Sequence, residues 1–170
     1  GETIAILGAG KLGLAVLDVL CHSAGAAMTI VSDLHPFRLD LARQVGADHT
    51  IDIAREDPIA RVMDLTQGEG VDCVIEAVGH YHLFEGQEAP LAQAVHMIRP
   101  GGRIVTAGLG EQLSAVHFKT VVLKEARIIA SRVTLGEFPR AIRLLAKGLL
   151  HPELLVTHQM ALRDITSAFE

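Results

Sequence analysis

Short aliphatic, β-branched runs alternate with longer stretches whose apolar residues recur every three or four positions. The first pattern is that of a buried strand and the second that of an amphipathic helix. Thr3–Leu7 opens the chain as a strand. Lys11–Ala24 follows as a helix with Leu12, Ala15, Val16, Val19 and Leu20 on one face. Met28–Ser32 is the second strand. Pro36 stands where a first helical turn tolerates proline, and Gly46 ends that helix. His49–Ile53 is a weaker third strand. Asp57, just before Pro58, is the N-cap of a helix closed by Gly68 and Gly70. Val71–Glu76 is the fourth strand, Gly79–Glu88 a polar loop, and Ala89–Ile98 a helix. Pro100-Gly101-Gly102 reads as a tight turn before the fifth strand, Arg103–Ala107. An irregular stretch leads to the sixth, Arg127–Ser131. Glu137–Lys147 is a helix stopped at Gly148, Leu154–His158 is extended, and Arg163–Glu170 starts a last helix.

Strands that alternate with helices imply right-handed crossovers and a parallel sheet covered on both faces. Six strands in two halves predict an α/β, doubly wound sheet in the order 3-2-1-4-5-6, the Rossmann fold. No linker, low-complexity tract or short repeat divides residues 1–170.

Composition narrows the class. The chain has 170 residues, one ordinary domain, and its 49% apolar and 21% charged content excludes disorder. A net charge of −5 without any basic block argues against nucleic acid as a partner. No apolar run reaches the roughly 18 residues of a membrane span. The chain begins directly on a strand-like run, with no visible signal peptide. Cys21 and Cys73 lie far apart in apolar stretches, as buried thiols of a reducing cytoplasm do. The mean hydropathy of +0.35 is high, which suggests that some faces meet another domain or subunit.

Gly8-Ala9-Gly10-Lys11-Leu12-Gly13 fits G-x-G-x-x-G between a strand and a helix, the setting in which that motif binds a dinucleotide. Gly8 permits the turn, Gly10 lets a pyrophosphate approach the backbone, and Gly13 lets the helix pack on the strand. Asp33, twenty residues after Gly13, stands where a carboxylate accepts from both adenosine ribose hydroxyls and repels a 2′-phosphate. NAD is therefore favoured over NADP. Asp33 also stands where it could cap the helix at Pro36. Arg38, on that helix, either flanks the adenosine beside Lys11 or is a solvated surface residue. It keeps an NADP reading open.

These residues resemble the cofactor domain of medium-chain, zinc-type alcohol and polyol dehydrogenases. The resemblance runs from Ala5–Leu14 and Val31–Asp33 through Leu41–Asp52, Val71–Gly79 and Ile98–Val105. It closes more weakly at Leu155–His158 and Ala168–Glu170. It implies that the nicotinamide half lies against strand ends. Ala77, Val78 and Gly79 follow the fourth strand, Ala107, Gly108 and Leu109 the fifth, and Arg132 the sixth. Arg132 is otherwise a strand-end surface charge. In the polyol branch a Trp-Pro pair follows that arginine; here the pair is Phe138-Pro139, which points to sugar, polyol or sugar-acid substrates.

The resemblance places the catalytic zinc in a separate domain, and no metal ligand is expected within residues 1–170. The nine histidines form no ligand set with the two cysteines. His80 and His82 flank Tyr81 in the polar loop, facing either solvent or the cleft.

The expectation is thus an NAD-binding domain excised from a two-domain dehydrogenase. The parent would move hydride between a secondary alcohol and NAD, and the fragment alone would be inactive. A free-standing NAD-sensing module and a zinc-free NADPH-dependent reductase are the alternatives. Val121–Ser131 leaves an apolar edge around Ile128, Ile129 and Ala130, which predicts a homodimer through strand six. The rival expectation is an edge covered by the chain's own C-terminal segment.

Overall fold

The computed structural model describes residues 1–79, 88–111, 114–132 and 134–169. Six parallel strands form one sheet in the order β3-β2-β1-β4-β5-β6. They are β1 (Thr3–Leu7), β2 (Met28–Asp33), β3 (His49–Asp52), β4 (Val71–Glu76), β5 (Ile98–Thr106) and β6 (Arg127–Ala130). The predicted doubly wound order is the observed one.

Alternation along the central strands sorts side chains to two faces. Ile4 and Ile6 of β1 pack with Val31 and Cys73 beneath Leu14 and Leu17 of α1 (Lys11–Val19) and Ala42 and Val45 of α2 (Pro36–Val45). Ala5 and Leu7 turn the other way. They join Ile30, Val74 and Ile104 beneath Val62 of α3 (Pro58–Leu65) and Val95 and Met97 of α4 (Pro90–Met97). Both faces are buried, which is why these strands read as continuous apolar runs. Asp57 caps α3 as expected, accepting from the N–H groups of Ile59 (2.9 Å) and Ala60 (3.4 Å).

Four local readings differ. The first helix leaves α-geometry after Val19 and widens into a π-turn over Leu20–Ala24, closed by a left-handed Gly25. Pro100-Gly101-Gly102 lies inside β5. Val71 pairs with Ile98 and Cys73 with Arg103, so residues 99–102 bulge from the ladder. The stretch read as irregular contains a short helix, α5 (Phe118–Leu123). Beyond it, Lys124 Nζ donates to the carbonyls of His96 (2.8 Å) and Ile98 (2.6 Å), a cation at the C-terminal end of α4. Burial lowers its pKa. The stretch read as extended over Leu154–His158 begins instead on a 3₁₀ turn, Pro152–Leu154.

The last third is thinly covered. Every residue of β6 is exposed, including Ile128 and Ile129. Helix α6 (Phe138–Ala146) carries an apolar stripe at Phe138, Ile142 and Leu145, continued by Leu149, and all four are exposed. Leu154 and Leu155 pack against the α1–α2 core. A 3₁₀ turn, Leu162–Asp164, and α7 (Ile165–Ala168) end the described chain. No helix among the described residues is long and apolar enough to cross a membrane.

Candidate dinucleotide site

The strand order reverses between β1 and β4, and the loops leaving their C-terminal ends diverge there. The result is a cleft of about 360 Å³ lined by Gly8 and Gly10 after β1, Asp33 and Arg38, Ile53 after β3, and Ala77 and Val78 after β4. Six of the sequence-predicted residues thus converge on one space. Ser32, Leu34, His35, Pro90 and Gln93 line it as well. The motif could not show these, because they come from elements it does not contain.

The glycine turn is held at both ends. Gly8 donates to the Ser32 carbonyl at 2.8 Å and adopts a φ of +95°. A Cβ on Gly13 would lie 1.9 Å from the Gly8 carbonyl oxygen, so only glycine lets α1 sit this close to the turn. A Cβ on Gly10 would meet nothing within 4 Å among the described residues. Among the described residues no side chain caps the N-terminus of α1. Its first N–H groups and its positive dipole end remain available to an anion. Lys11 and Leu12 begin that helix, are exposed, and lie outside the lining of the cleft.

Asp33 is 6% exposed. Its Oδ2 accepts the Ala9 N–H and its Oδ1 the His35 N–H, each at 2.8 Å. The second bond is a local turn, and Asp33 does not cap α2; His35 takes that position. Arg38 Nη1 stands 3.6 Å from Asp33 Oδ2, and its guanidinium lies over the Phe37 ring. The carboxylate braces the glycine loop and keeps free lone pairs toward the cleft, since two oxygens offer about four acceptor sites.

Glu76 does the same at β4, a role the sequence reading did not assign. It is buried, and its Oε1 accepts the N–H groups of Val78 and Gly79 at 2.8 Å each. Beside this turn, a Cβ on Gly79 would lie 2.3 Å from the Leu109 nitrogen, and one on Gly108 2.2 Å from the Gly79 nitrogen. The loops after β4 and β5 therefore touch backbone to backbone. Ala107, Gly108 and Leu109 sit at this junction, next to the cleft and not in its lining. Arg132 is separate again. It is exposed and lines an open groove with Thr134, Leu135, Glu137 and Phe138. Residues 80–87, with His80 and His82, lie outside the described residues.

The arrangement can bind an extended, anionic, ribose-bearing ligand. It offers helix N–H groups, open glycine backbone, a buried carboxylate and apolar strand ends.

Comparison with known proteins agrees. A family model described as zinc-binding dehydrogenase matches residues 12–147. An L-threonine 3-dehydrogenase of Bacillus subtilis is 33% identical over 173 residues, covering 100% of this chain and 48% of that protein. A sorbitol dehydrogenase of the same organism is 32% identical, with 100% and 46% covered. The chain therefore spans about half the length of these curated relatives. Among solved structures, an Escherichia coli alcohol dehydrogenase complexed with NADH superposes with a TM-score of 0.86 at 30% identity. It is matched over 99% of this chain and 48% of that one. A zinc-binding dehydrogenase of Sinorhizobium meliloti bound to NADP superposes with a TM-score of 0.87 at 26% identity, over 99% and 48%.

Proposed function

The chain belongs to the zinc-binding dehydrogenase family, and from that premise we propose that it is the NAD-binding domain of an alcohol or polyol dehydrogenase. One observation carries the choice of NAD: the buried Asp33 carboxylate between the glycine turn and the cleft. Ribose hydroxyls would donate to its remaining lone pairs, whereas a 2′-phosphate would meet its charge. Arg38, 3.6 Å away, offsets only part of that charge and leaves NADP the second reading.

The residues fit the cofactor along its length. The N-terminus of α1 would take the pyrophosphate, with Gly10 open toward it and Lys11 adding charge at the mouth. Leu12 and Gly13 set the helix start. Ala77, Val78 and Gly79, with Ala107, Gly108 and Leu109, would border the nicotinamide end. Bound NAD would supply the hydride acceptor; these residues bind it, orient it and shield it from water. Arg132, in its own groove, would reach the substrate side only with further structure packed against α6. The relatives run to about twice this length, and the remainder would be the catalytic half. The exposed stripe at Phe138, Ile142 and Leu145 is the surface it would cover. The family's zinc would be held in that half, where it would polarise the alcohol oxygen.

A cytoplasmic homodimer joined through the open edge of β6 completes the reading. Titration of the protein with NADH and NADPH tests its centre. Tighter binding of NADH supports it, and tighter binding of NADPH overturns it.

A further inference from the structure

At the far end of α1 from the glycine turn, three side chains from distant parts of the chain meet. Asp18 is 3% exposed. His22 lies one turn further along, so the i, i+4 spacing puts both on one helix face. The π-turn Leu20–Ala24 carries the His22 ring. His151 comes from 133 residues away, where the chain returns across α1 before the Pro152–Leu154 turn. His22 Nδ1 stands 2.9 Å and His151 Nδ1 3.0 Å from the same oxygen, Asp18 Oδ1. The other oxygen, Oδ2, accepts the His151 backbone N–H at 2.7 Å. The two rings cross edge to face, 4.4 Å between centroids.

We propose that Asp18, His22 and His151 form a binding site for a divalent transition-metal ion of the zinc class. Two imidazole nitrogens and one carboxylate oxygen are a common three-ligand set for that ion, with water in the fourth position. Ligand atoms at about 2.1 Å in a tetrahedron lie about 3.4 Å from one another. The two measured separations are within half an ångström of that, and all three atoms lie within 4.8 Å of each other. Side-chain rotation alone can admit the ion. As a hydrogen-bonded cluster, His151 aims an Nδ1 proton at Oδ1, and His22 shares its own between Oδ1 and the Asp18 backbone carbonyl at 3.1 Å. A single ion at the point of convergence replaces both protons, and each neutral ring then carries its proton on Nε2.

Glu88, His96 and His117 also bring their ligand atoms within 4.8 Å of one another, but more loosely and nearer the surface. His96 and His117 lie 3.5 and 3.7 Å from different oxygens of Glu88, which is 40% exposed. The proposed site is remote from the cofactor cleft. Asp18 is eight residues past Gly10, roughly 12 Å along the helix axis. Its ion would clamp the returning segment to α1 and take no part in hydride transfer.

The test is zinc binding by the purified protein after chelator treatment, read by competition with a chromophoric chelator. The double variant His22→Gln/His151→Gln keeps side-chain N–H donors toward Asp18 but loses the imidazole ligands. The unmodified protein is expected to bind one more zinc per chain than this variant. Each single Gln variant should bind that zinc roughly 10- to 100-fold more weakly, at least the loss seen for outer partners of zinc ligands. His117→Ala should leave it unchanged. Free zinc at 100 times Kd should raise the folded-to-unfolded ratio about 100-fold in the unmodified protein only. Equal zinc content in the unmodified and double-variant proteins overturns the proposal, as does loss of the zinc in His117→Ala. Should the Gln variants fail to fold, Co²⁺ loaded into the unmodified protein decides. Visible absorption of a four-coordinate ion at one equivalent supports the site, and its absence overturns it.

Discussion

Replacing Asp33 should move cofactor preference by a magnitude that the geometry allows us to estimate. A hydrogen bond to a charged acceptor contributes about 1.5–3 kcal/mol, so losing the ribose contact should weaken NADH roughly 10- to 100-fold. Against NADPH the charge works in the opposite direction. Two unit charges about 5 Å apart at an effective dielectric of about 20 repel by about 3 kcal/mol. Solvent at the cleft and the Arg38 guanidinium 3.6 Å from Oδ2 reduce that by about half. Removing the charge should therefore strengthen NADPH about tenfold, and the NADH-to-NADPH ratio should fall by about 10² to 10³. Two variants separate charge from scaffolding. Asp33→Ala also strips acceptors from the N–H groups of Ala9 and His35. Leaving such a buried donor unpaired costs about 1–3 kcal/mol and loosens the glycine turn. Asp33→Asn removes the charge but retains an amide oxygen for Ala9. The chain contains no tryptophan, so nicotinamide fluorescence itself is the signal to titrate. The reasoning is refuted if Asp33→Asn leaves the ratio within about twofold of the unmodified protein.

Gly13→Ala should destabilise the protein by about 3 kcal/mol or more and abolish NADH binding, since the new methyl would sit 1.9 Å from the Gly8 oxygen. Urea unfolding measures this, and an unchanged midpoint would count against it. Asp72 accepts the Thr3 N–H at 2.8 Å and Arg99 Nε at 2.6 Å, and these bonds lower its pKa below the ordinary 3.8. Its stabilisation is therefore complete above that value and is lost as pH falls through the depressed one. Acid unfolding should begin below about pH 4 and be shallower in Asp72→Asn; identical profiles would contradict the assignment. Ile129→Lys should convert a dimer to a monomer by sedimentation with NADH affinity unchanged, and an unmodified protein already monomeric at micromolar concentration would refute pairing through β6.

The sheet and the glycine turn were legible in the sequence because both rest on local rules. A strand buried on both faces is apolar at most positions, so Ile4–Leu7 and the Val71, Cys73, Val74 and Ile75 positions announce their strands, with Asp72 and Glu76 the charged exceptions. A helix start that must pack against a carbonyl needs glycine, and Gly13 stands there. Asp33 was legible because its distance from the turn is set by one helix and one strand. Local rules say less where the chain is only partly buried. The bulge at residues 99–102 looked like a turn because Pro-Gly-Gly has turn chemistry whether or not a strand continues beyond it. The π-turn at Leu20–Ala24 interrupts a pattern whose apolar spacing suits an α-helix throughout.

Other features were decided by tertiary structure alone. Glu76 is one acidic residue among twenty in the sequence; only the fold turns it inward onto the N–H groups of Val78 and Gly79. Arg132 follows a strand end, as the resemblance implied, yet it stands in a groove apart from the cleft because β6 is two strands beyond the reversal point. Most of all, Asp18 and His151 are 133 positions apart. Spacing rules pair residues within a helix or across a turn, and they supply no distance between α1 and a segment that returns after six strands. What the sequence by itself determined is therefore the set of elements and the chemistry carried on each turn. Which side chains meet was decided by the packing of the C-terminal return onto α1, because long-range contacts depend on the whole sheet and not on any one stretch of it.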